Sequence, residues 1–346
     1  MALKTDKAVR PITVRVGSAW ASLVGGVMGD PLLHVRLRHR KESLLFDLGD
    51  AAGLSPRVAH QVRAIFLSHA HLDHIAGFIW FLRARIGLFG ASCGPCRIFG
   101  PPDTITRIES FLNAVTWDRI ENGPIFEVSD ILGEQLRSVR LQPGRPRMEL
   151  PVQILAEDVI YKGDNYRVTV ATCDHKIPSM AYALTFHKEI NVRKERLAAL
   201  GCPAGPWLGR LKACLAANSL DDEIHLPDGN TRTAGDLAHE LILIRPGKKL
   251  VYAADMADTA ANRRKLVSLA QDAHTLFCEA AFSEDDREKA QATQHLTTRA
   301  AVEIARAAGV KRLAPFHFSR RYEDDPDRIY TEIRGLAGPV MVLGRP

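Results

Sequence analysis

Cysteine is scarce in this chain, with six residues among 346: Cys93, Cys96, Cys173, Cys202, Cys214 and Cys278. Their scatter excludes a disulfide-stapled secreted scaffold, and the start, Met1-Ala2-Leu3-Lys4-Thr5-Asp6-Lys7, lacks the apolar stretch of a signal peptide. A reduced, cytoplasmic protein is the expectation. Long apolar runs are missing as well. No segment approaches the roughly 18 apolar residues of a membrane span, so no membrane partner is expected. Internal repeats and low-complexity tracts are absent, and no second cysteine pair follows Cys93-Gly94-Pro95-Cys96 at zinc-ribbon spacing. That motif reads as a loop turn.

What is present is enough apolar material, 46% of residues, for one large α/β domain or two smaller ones. The formal net charge of +6 mildly favours a polyanionic substrate. Strand-like runs at 12–16, 32–37, 43–47, 64–68, 97–100, 166–173, 181–187, 249–253, 275–279 and 312–317 alternate with helical periodicity at 75–88, 103–114, 260–271, 297–308 and 327–334. Such alternation argues for a layered α/β fold. One stretch breaks it. Between Lys188 and Lys248 the sequence turns charged and Pro/Gly-punctuated, as a functional protrusion or a flexible insertion would.

The densest chemistry is His69-Ala70-His71-Leu72-Asp73-His74, four potential metal ligands in six residues, placed between an apolar strand-like run and a helix-like one. A strand end points residues two apart the same way, so His69 and His71 can share one ion, and the following turn redirects Asp73 and His74 toward a second. The competing reading is a histidine-rich surface turn. Three more candidate ligands end other strands: His175, Asp255 and His317. Each alone has a bland alternative, a helix cap for the aspartate (a role Asp258 fits equally) and backbone-satisfied histidines for the others. Together they assign His69, His71 and His175 to one cation, Asp73, His74 and His317 to another, and Asp255 between them. Imidazole-rich mixed N/O sites suit zinc, with manganese or iron as substitutes. Two such cations ionise a water between them, which is hydrolytic chemistry. Glu279, at the end of a strand, and His295, just ahead of a helix, fit a proton-transfer pair; a capping histidine and a surface carboxylate are the alternative.

At this point the residues resemble the ribonuclease Z family of metallo-β-lactamase-fold hydrolases. The His-x-His-x-Asp-His motif alone indicates only the superfamily. Asp174-His175-Lys176-Ile177-Pro178-Ser179-Met180-Ala181-Tyr182 looks like the family's His-x-Ile/Val-Pro-Ser-x-Gly-Tyr segment, and Cys278-Glu279-Ala280-Ala281-Phe282 with His295-Leu296-Thr297 looks like its His-Glu-Ala-Thr-Phe and His-Ser-Thr pair. Phe316-His317-Phe318-Ser319-Arg320-Arg321-Tyr322 resembles its closing motif. Ala181, Ala254, Met256, Cys278 and Ala281 stand where the family has other residues, and all seven ligand positions match.

The resemblance implies a four-layer αββα sandwich, one domain over 1–346 with an exosite-like arm inserted at 188–232. It implies an endonuclease that removes the 3′ trailer of precursor tRNA with two zinc ions, working as a homodimer. By the same likeness Asp73 is the general base, Glu279 orients His295, and His295 assists departure of the 3′-oxygen. Ser179, Tyr182, Gly205, Pro206, Arg210 and Lys212 would meet the substrate, the last four from the arm. The alternative is a superfamily hydrolase for a small phosphodiester, lactone or thioester.

Overall fold

The computed structural model describes residues 11–38, 40–86, 94–118 and 123–345. The start of the chain, the expected helix end at Leu88 and the Cys93 half of the Cys93–Cys96 turn lie outside the described residues. The chain divides into two compact units, residues 1–185 with 248–346, and 186–247.

The larger unit holds two sheets. In the first, the strands run in the order Thr13–Val16, Ala19–Leu23, Leu33–Leu37, Ser43–Phe46, Val62–Phe66, Cys96–Gly100, Phe126–Leu132, Gln135–Leu141 and Gln153–Ile154. Its centre, from Ser43–Phe46 to Phe126–Leu132, is parallel, and antiparallel hairpins flank it. The second sheet has the order Val159–Gly163, Tyr166–His175, Ile177–Phe186, Lys249–Ala253, Thr275–Glu279, Arg312–Phe316 and Met341–Val342. Its last four strands are parallel.

Period-two alternation decides what each face does. Leu45, Ile65, Ile98 and Val128 join one buried cluster with Phe78, Phe81, Ile105 and Ile108 of the helices Phe78–Arg85 and Thr104–Asn113. Phe46 and Phe66, one residue on, face the other way and meet Tyr182 and Tyr252 of the second sheet at 5.5–6.0 Å between ring centroids. Helices Ala260–Ala270 and Thr298–Ala307 cover the outer face of that sheet. The layers are therefore helix, sheet, sheet, helix, as expected. All four inter-sheet rings are fully buried, and each contributes about 1.5–3 kcal/mol of transfer free energy. Two hydrogen bonds also staple the sheets: the Tyr182 hydroxyl donates to the Leu67 carbonyl at 2.6 Å, and Met180 N–H to the Ser68 carbonyl at 2.8 Å.

The helix expected over 75–88 is in fact two, Leu72–Ile75 and Phe78–Arg85, and at the break Gly77 N–H donates to the Leu48 carbonyl at 2.9 Å while Leu48 N–H donates to the His74 carbonyl at 2.8 Å. Gly77 packs so closely on the loop after Phe46 that an added Cβ would come within 2.2 Å of the Gly49 carbonyl oxygen. A Cβ on Gly49 would in turn come within 2.2 Å of the Asp73 carbonyl oxygen. This backbone-on-backbone contact seats the Asp73-His74 segment.

The smaller unit has its own core of Cys202, Trp207, Leu211, Cys214, Ile224, Leu226, Leu237 and Leu241, with further small and apolar residues around it. Helices Lys194–Ala199, Pro206–Ala217 and Ala234–Leu241 pack there, and Glu189–Val192 pairs with Ile242–Arg245 to close the unit at its base. That returning strand is why the unit reaches residue 247, close to the Lys248 limit of the sequence pattern and beyond the 188–232 arm that the resemblance implied.

A candidate dinuclear metal centre with a proton-transfer pair

Strands of both sheets end at one rim. Val62–Phe66 leads to His69, His71, Asp73 and His74; Tyr166–His175 ends on His175; Lys249–Ala253 leads to Asp255; Thr275–Glu279 ends on Glu279; and Arg312–Phe316 leads to His317. His317 adopts a left-handed backbone, φ 59°, a strained choice for a side chain of this kind and one that clusters at functional sites.

The seven expected ligands converge as two groups sharing Asp255. His69, His71, His175 and Asp255 offer atoms that all lie within 4.8 Å of one another, as do Asp73, His74, Asp255 and His317. The Asp255 Oδ2 atom is 3.7 Å from both His69 Nε2 and His175 Nε2 and 3.4 Å from His74 Nε2, while Oδ1 is 2.9 Å from His317 Nδ1. Asp73 Oδ2 sits 3.3 Å from His74 Nε2 and from His317 Nε2. A third group, Asp255, Glu279, His295 and His317, joins the same space, with His295 Nδ1 2.9 Å from Glu279 Oε2.

The donor set fits cations on its own terms. His69 Nε2, His74 Nε2, Asp255 Oδ1 and His317 Nδ1 are buried and have no hydrogen-bond partner among the described residues. Orphaned polar atoms cost about 1–3 kcal/mol each unless something binds them. Here they point into a common space, and the two carboxylate and five imidazole groups of the seven ligands are what a borderline divalent metal prefers.

A second set of residues, which the sequence pattern left unremarked as functional, holds this first set in place. Asp47 is fully buried and accepts four hydrogen bonds, from Ser68 N–H at 2.6 Å, Ser68 Oγ at 2.8 Å, Tyr252 Oη at 2.7 Å and His74 Nδ1 at 2.8 Å. The last of these leaves His74 Nε2 as the free ligand atom. Asn262, also fully buried, ties the loops of His175 and Asp255 together: its amide donates to the Asp174 and Ala257 carbonyls at 2.9 Å and accepts from Asp174 N–H at 3.0 Å. The Gln294 carbonyl accepts from His175 Nδ1 at 2.8 Å. Asp47 carried the only sequence signal, a carboxylate closing an apolar strand.

The charges follow from these contacts. Burial, then the neighbouring His74, pushes His69 down to about 2, and burial also lowers His175. Burial opposes charge on His317 too, but Asp255 outweighs it and raises His317 to about 10. His74 is raised in the same way by Asp255 and Asp47. Against their own burial, Asp73 and Asp255 are held well below the usual carboxylate range, Asp73 by hydrogen bonds from His317 and His74, Asp255 chiefly by the charges of those same two rings. Glu279 raises His295, again against burial.

Some expected residues lie elsewhere. Tyr182 was expected to meet substrate, but it is fully buried between the sheets and its hydroxyl is spent on Leu67, so it staples the fold instead. Ser179, 2% exposed, likewise presents almost no surface. Asp258 does not cap the following helix; Thr259 does, and Asp258 pairs with Arg263. In the smaller unit Gly205 precedes the helix Pro206–Ala217, whose Pro206 occupies the first turn, and Arg210 and Lys212 are exposed on it.

Comparisons with known proteins agree with this architecture. No protein-family model matches the chain. A protein named Ribonuclease Z from Myxococcus xanthus is 30% identical over 93% of this chain and 94% of its own, and another of that name from Brevibacillus brevis is 31% identical over 81% and 77%. Among solved structures, the short form of human tRNase Z aligns with a TM-score of 0.51 at 18% identity, covering 90% of this chain and 93% of its own. The metallo-β-lactamase-fold protein YhfI from Bacillus subtilis aligns at 0.52 and 16%, covering 96% and 95%. These two likenesses concern the fold.

Proposed function

The chain belongs to the ribonuclease Z family, and from that premise we propose that it is a metal-dependent endonuclease that removes the 3′ trailer of precursor tRNA. The single observation that carries the reading is the convergence of two ligand groups on Asp255 with the Glu279–His295 pair attached to them. The hydrolase of small phosphodiesters, lactones or thioesters is not favoured, because relatives about 30% identical over most of the chain bear the ribonuclease name.

In this reading His69, His71 and His175 would hold one cation and Asp73, His74 and His317 the other, with Asp255 in reach of both groups. Such a pair supplies an ionised water near neutral pH and neutralises charge on the phosphoryl oxygens. Asp73, kept ionised by His74 and His317, can take a proton from the attacking water as general base. Glu279 fixes His295 from one side and is itself fixed, since its Oε1 accepts Met256 N–H at 2.6 Å. With Nδ1–H committed to Glu279, the His295 ring offers Nε2 to the departing 3′-oxygen, and its raised proton affinity keeps the donor form populated.

Zinc is the cation that the donor set suits best. We also read the protein as a cytoplasmic homodimer; Cys96, Cys173, Cys202, Cys214 and Cys278 are free and buried, in keeping with a reducing compartment. No helix among the described residues is long and apolar enough to cross a membrane. The unit 186–247 serves as the arm that grips tRNA, through the exposed Arg210 and Lys212 with Gly205 and Pro206 shaping the helix start.

The test is cleavage of a 3′-extended tRNA by the zinc-loaded protein, repeated with His295→Ala. The expected products are a tRNA ending in a 3′-hydroxyl just after the discriminator base and a free trailer, with the variant slower by about 10²–10⁴-fold. Hydrolysis of a model phosphodiester without any tRNA cleavage would refute the substrate.

A further inference from the structure

Lys176 lies directly after the candidate ligand His175, at the junction of the strands Tyr166–His175 and Ile177–Phe186. Its backbone is left-handed, φ 53°, where glycine would sit without strain and a long side chain does not. The strain is braced. Lys176 N–H donates to the side-chain Oε1 of Gln294, whose own backbone is left-handed at φ 62° and whose carbonyl receives His175 Nδ1–H at 2.8 Å. The side chain of Gln294 thus holds residue 176 while its main chain holds residue 175, and the lysine is locked one residue from the centre.

The ammonium itself is uncommitted. Lys176 is exposed and takes part in no ion pair or side-chain hydrogen bond among the described residues. Other cations around the rim are engaged: Arg321 with Asp286 at 3.0 Å, Arg320 with Asp30 at 3.8 Å, and Lys265 with the Thr172 carbonyl at 2.7 Å. A free, compact positive charge on a four-carbon stem, fixed at its root beside the place of phosphodiester cleavage, has one obvious complement. We propose that Lys176 is a substrate-contacting residue that takes an RNA backbone phosphate flanking the scissile one, with Gln294 as its positioning residue.

This rests on the nuclease reading, and the experiment separates the two. The full-length, zinc-loaded protein and its Lys176→Gln, Lys176→Gly and Lys176→Arg variants are assayed on a 3′-extended tRNA over a range of salt concentrations. Loss of one phosphate contact should raise KM several-fold, more than it changes kcat, in the Gln and Gly variants. It should also make the slope of log(kcat/KM) against log salt shallower by about 0.7–0.9. Arginine should restore both. Glycine relieves the backbone strain, so the Lys176→Gly variant should match the Gln variant in KM while losing no thermal stability, which a purely structural lysine would not explain. If the Gln and Gly variants keep the original salt slope while the unaltered protein cleaves, the lysine contact is refuted and the nuclease reading stands. If the unaltered protein leaves tRNA intact, both fall.

Discussion

Replacing Asp47 by Asn changes one atom and should disable a ligand that it never touches as a metal donor. Asparagine tolerates the left-handed backbone at this position, φ 55°, so the main chain has no reason to move. One amide oxygen can still accept from Ser68 N–H, now at 2.6 Å from Oδ1. The other position becomes an NH₂ group facing Ser68 Oγ, Tyr252 Oη and His74 Nδ1, all within 2.8 Å of the present Oδ2. Three donors then confront a donor. The cheapest relief is for His74 to accept at Nδ1 and carry its proton on Nε2, the atom 3.3 Å from Asp73 and 3.4 Å from Asp255. A protonated nitrogen cannot ligate, and errors of this kind behind a metal-binding histidine cost about 10–100-fold in affinity, or about 1.4–2.8 kcal/mol. The two hydroxyls can rotate, so the stability loss should stay near about 1–3 kcal/mol. Chelator competition against the zinc-loaded protein reads the affinity of each equivalent, and urea unfolding of the metal-free form reads the stability. An Asp47→Asn protein that keeps both equivalents at the original affinity would refute the tautomer argument.

Tyr182→Phe should cost about 1 kcal/mol in urea unfolding by deleting the hydrogen bond to Leu67, and should leave KM for tRNA where it was; a raised KM would restore the substrate role. Arg210→Ala combined with Lys212→Ala should weaken tRNA binding and flatten its salt dependence by up to about 1.8 in slope, as measured by filter binding. His34 supplies a pH test away from the centre. Burial, then Arg36, lowers it to about 4, so between pH 6.5 and 4 the unfolded chain binds the extra proton and stability rises with pH. The contribution is complete above 6.5 and is lost as pH falls to 4, up to about 3 kcal/mol; His34→Gln should therefore flatten that part of the stability curve in urea titrations.

Much of the centre was legible in the sequence because its ligands are chemically rare and sit where apolar runs stop. His69 to His74, His175, Asp255 and His317 each close a strand that alternation alone identifies, and the parallel order brings those ends to one rim. The supporting residues were harder to read for a physical reason: Asp47, Asn262 and Gln294 act chiefly through hydrogen bonds to distant partners, 205, 88 and 119 positions away at the farthest, and spacing carries no trace of such pairs. Tyr182 misled because a tyrosine beside a functional motif looks the same whether its hydroxyl faces solvent or a neighbouring strand. The split of the expected helix at Gly77 is of the same kind, since only the folded approach of the 47–49 loop brings Leu48 to exchange hydrogen bonds with Gly77 and His74. The smaller unit broke the strand–helix alternation because its apolar residues are spread over three helices and two short strand pairs, one of which joins the first and last strands of the unit.

The rim has a mechanical side. Four of the candidate ligands hang from the first sheet and three from the second, so any ion bound there is a bolt through the joint between two slabs whose other fastenings include tilted ring contacts and the hydrogen bonds of Tyr182, Met180 and Tyr252. Sliding one slab past the other by a single residue would pull every donor out of register at once. Loading the centre should therefore stiffen a joint that spans the whole larger unit, and the temperature at which the slabs part should climb with free zinc as the logarithm of its concentration.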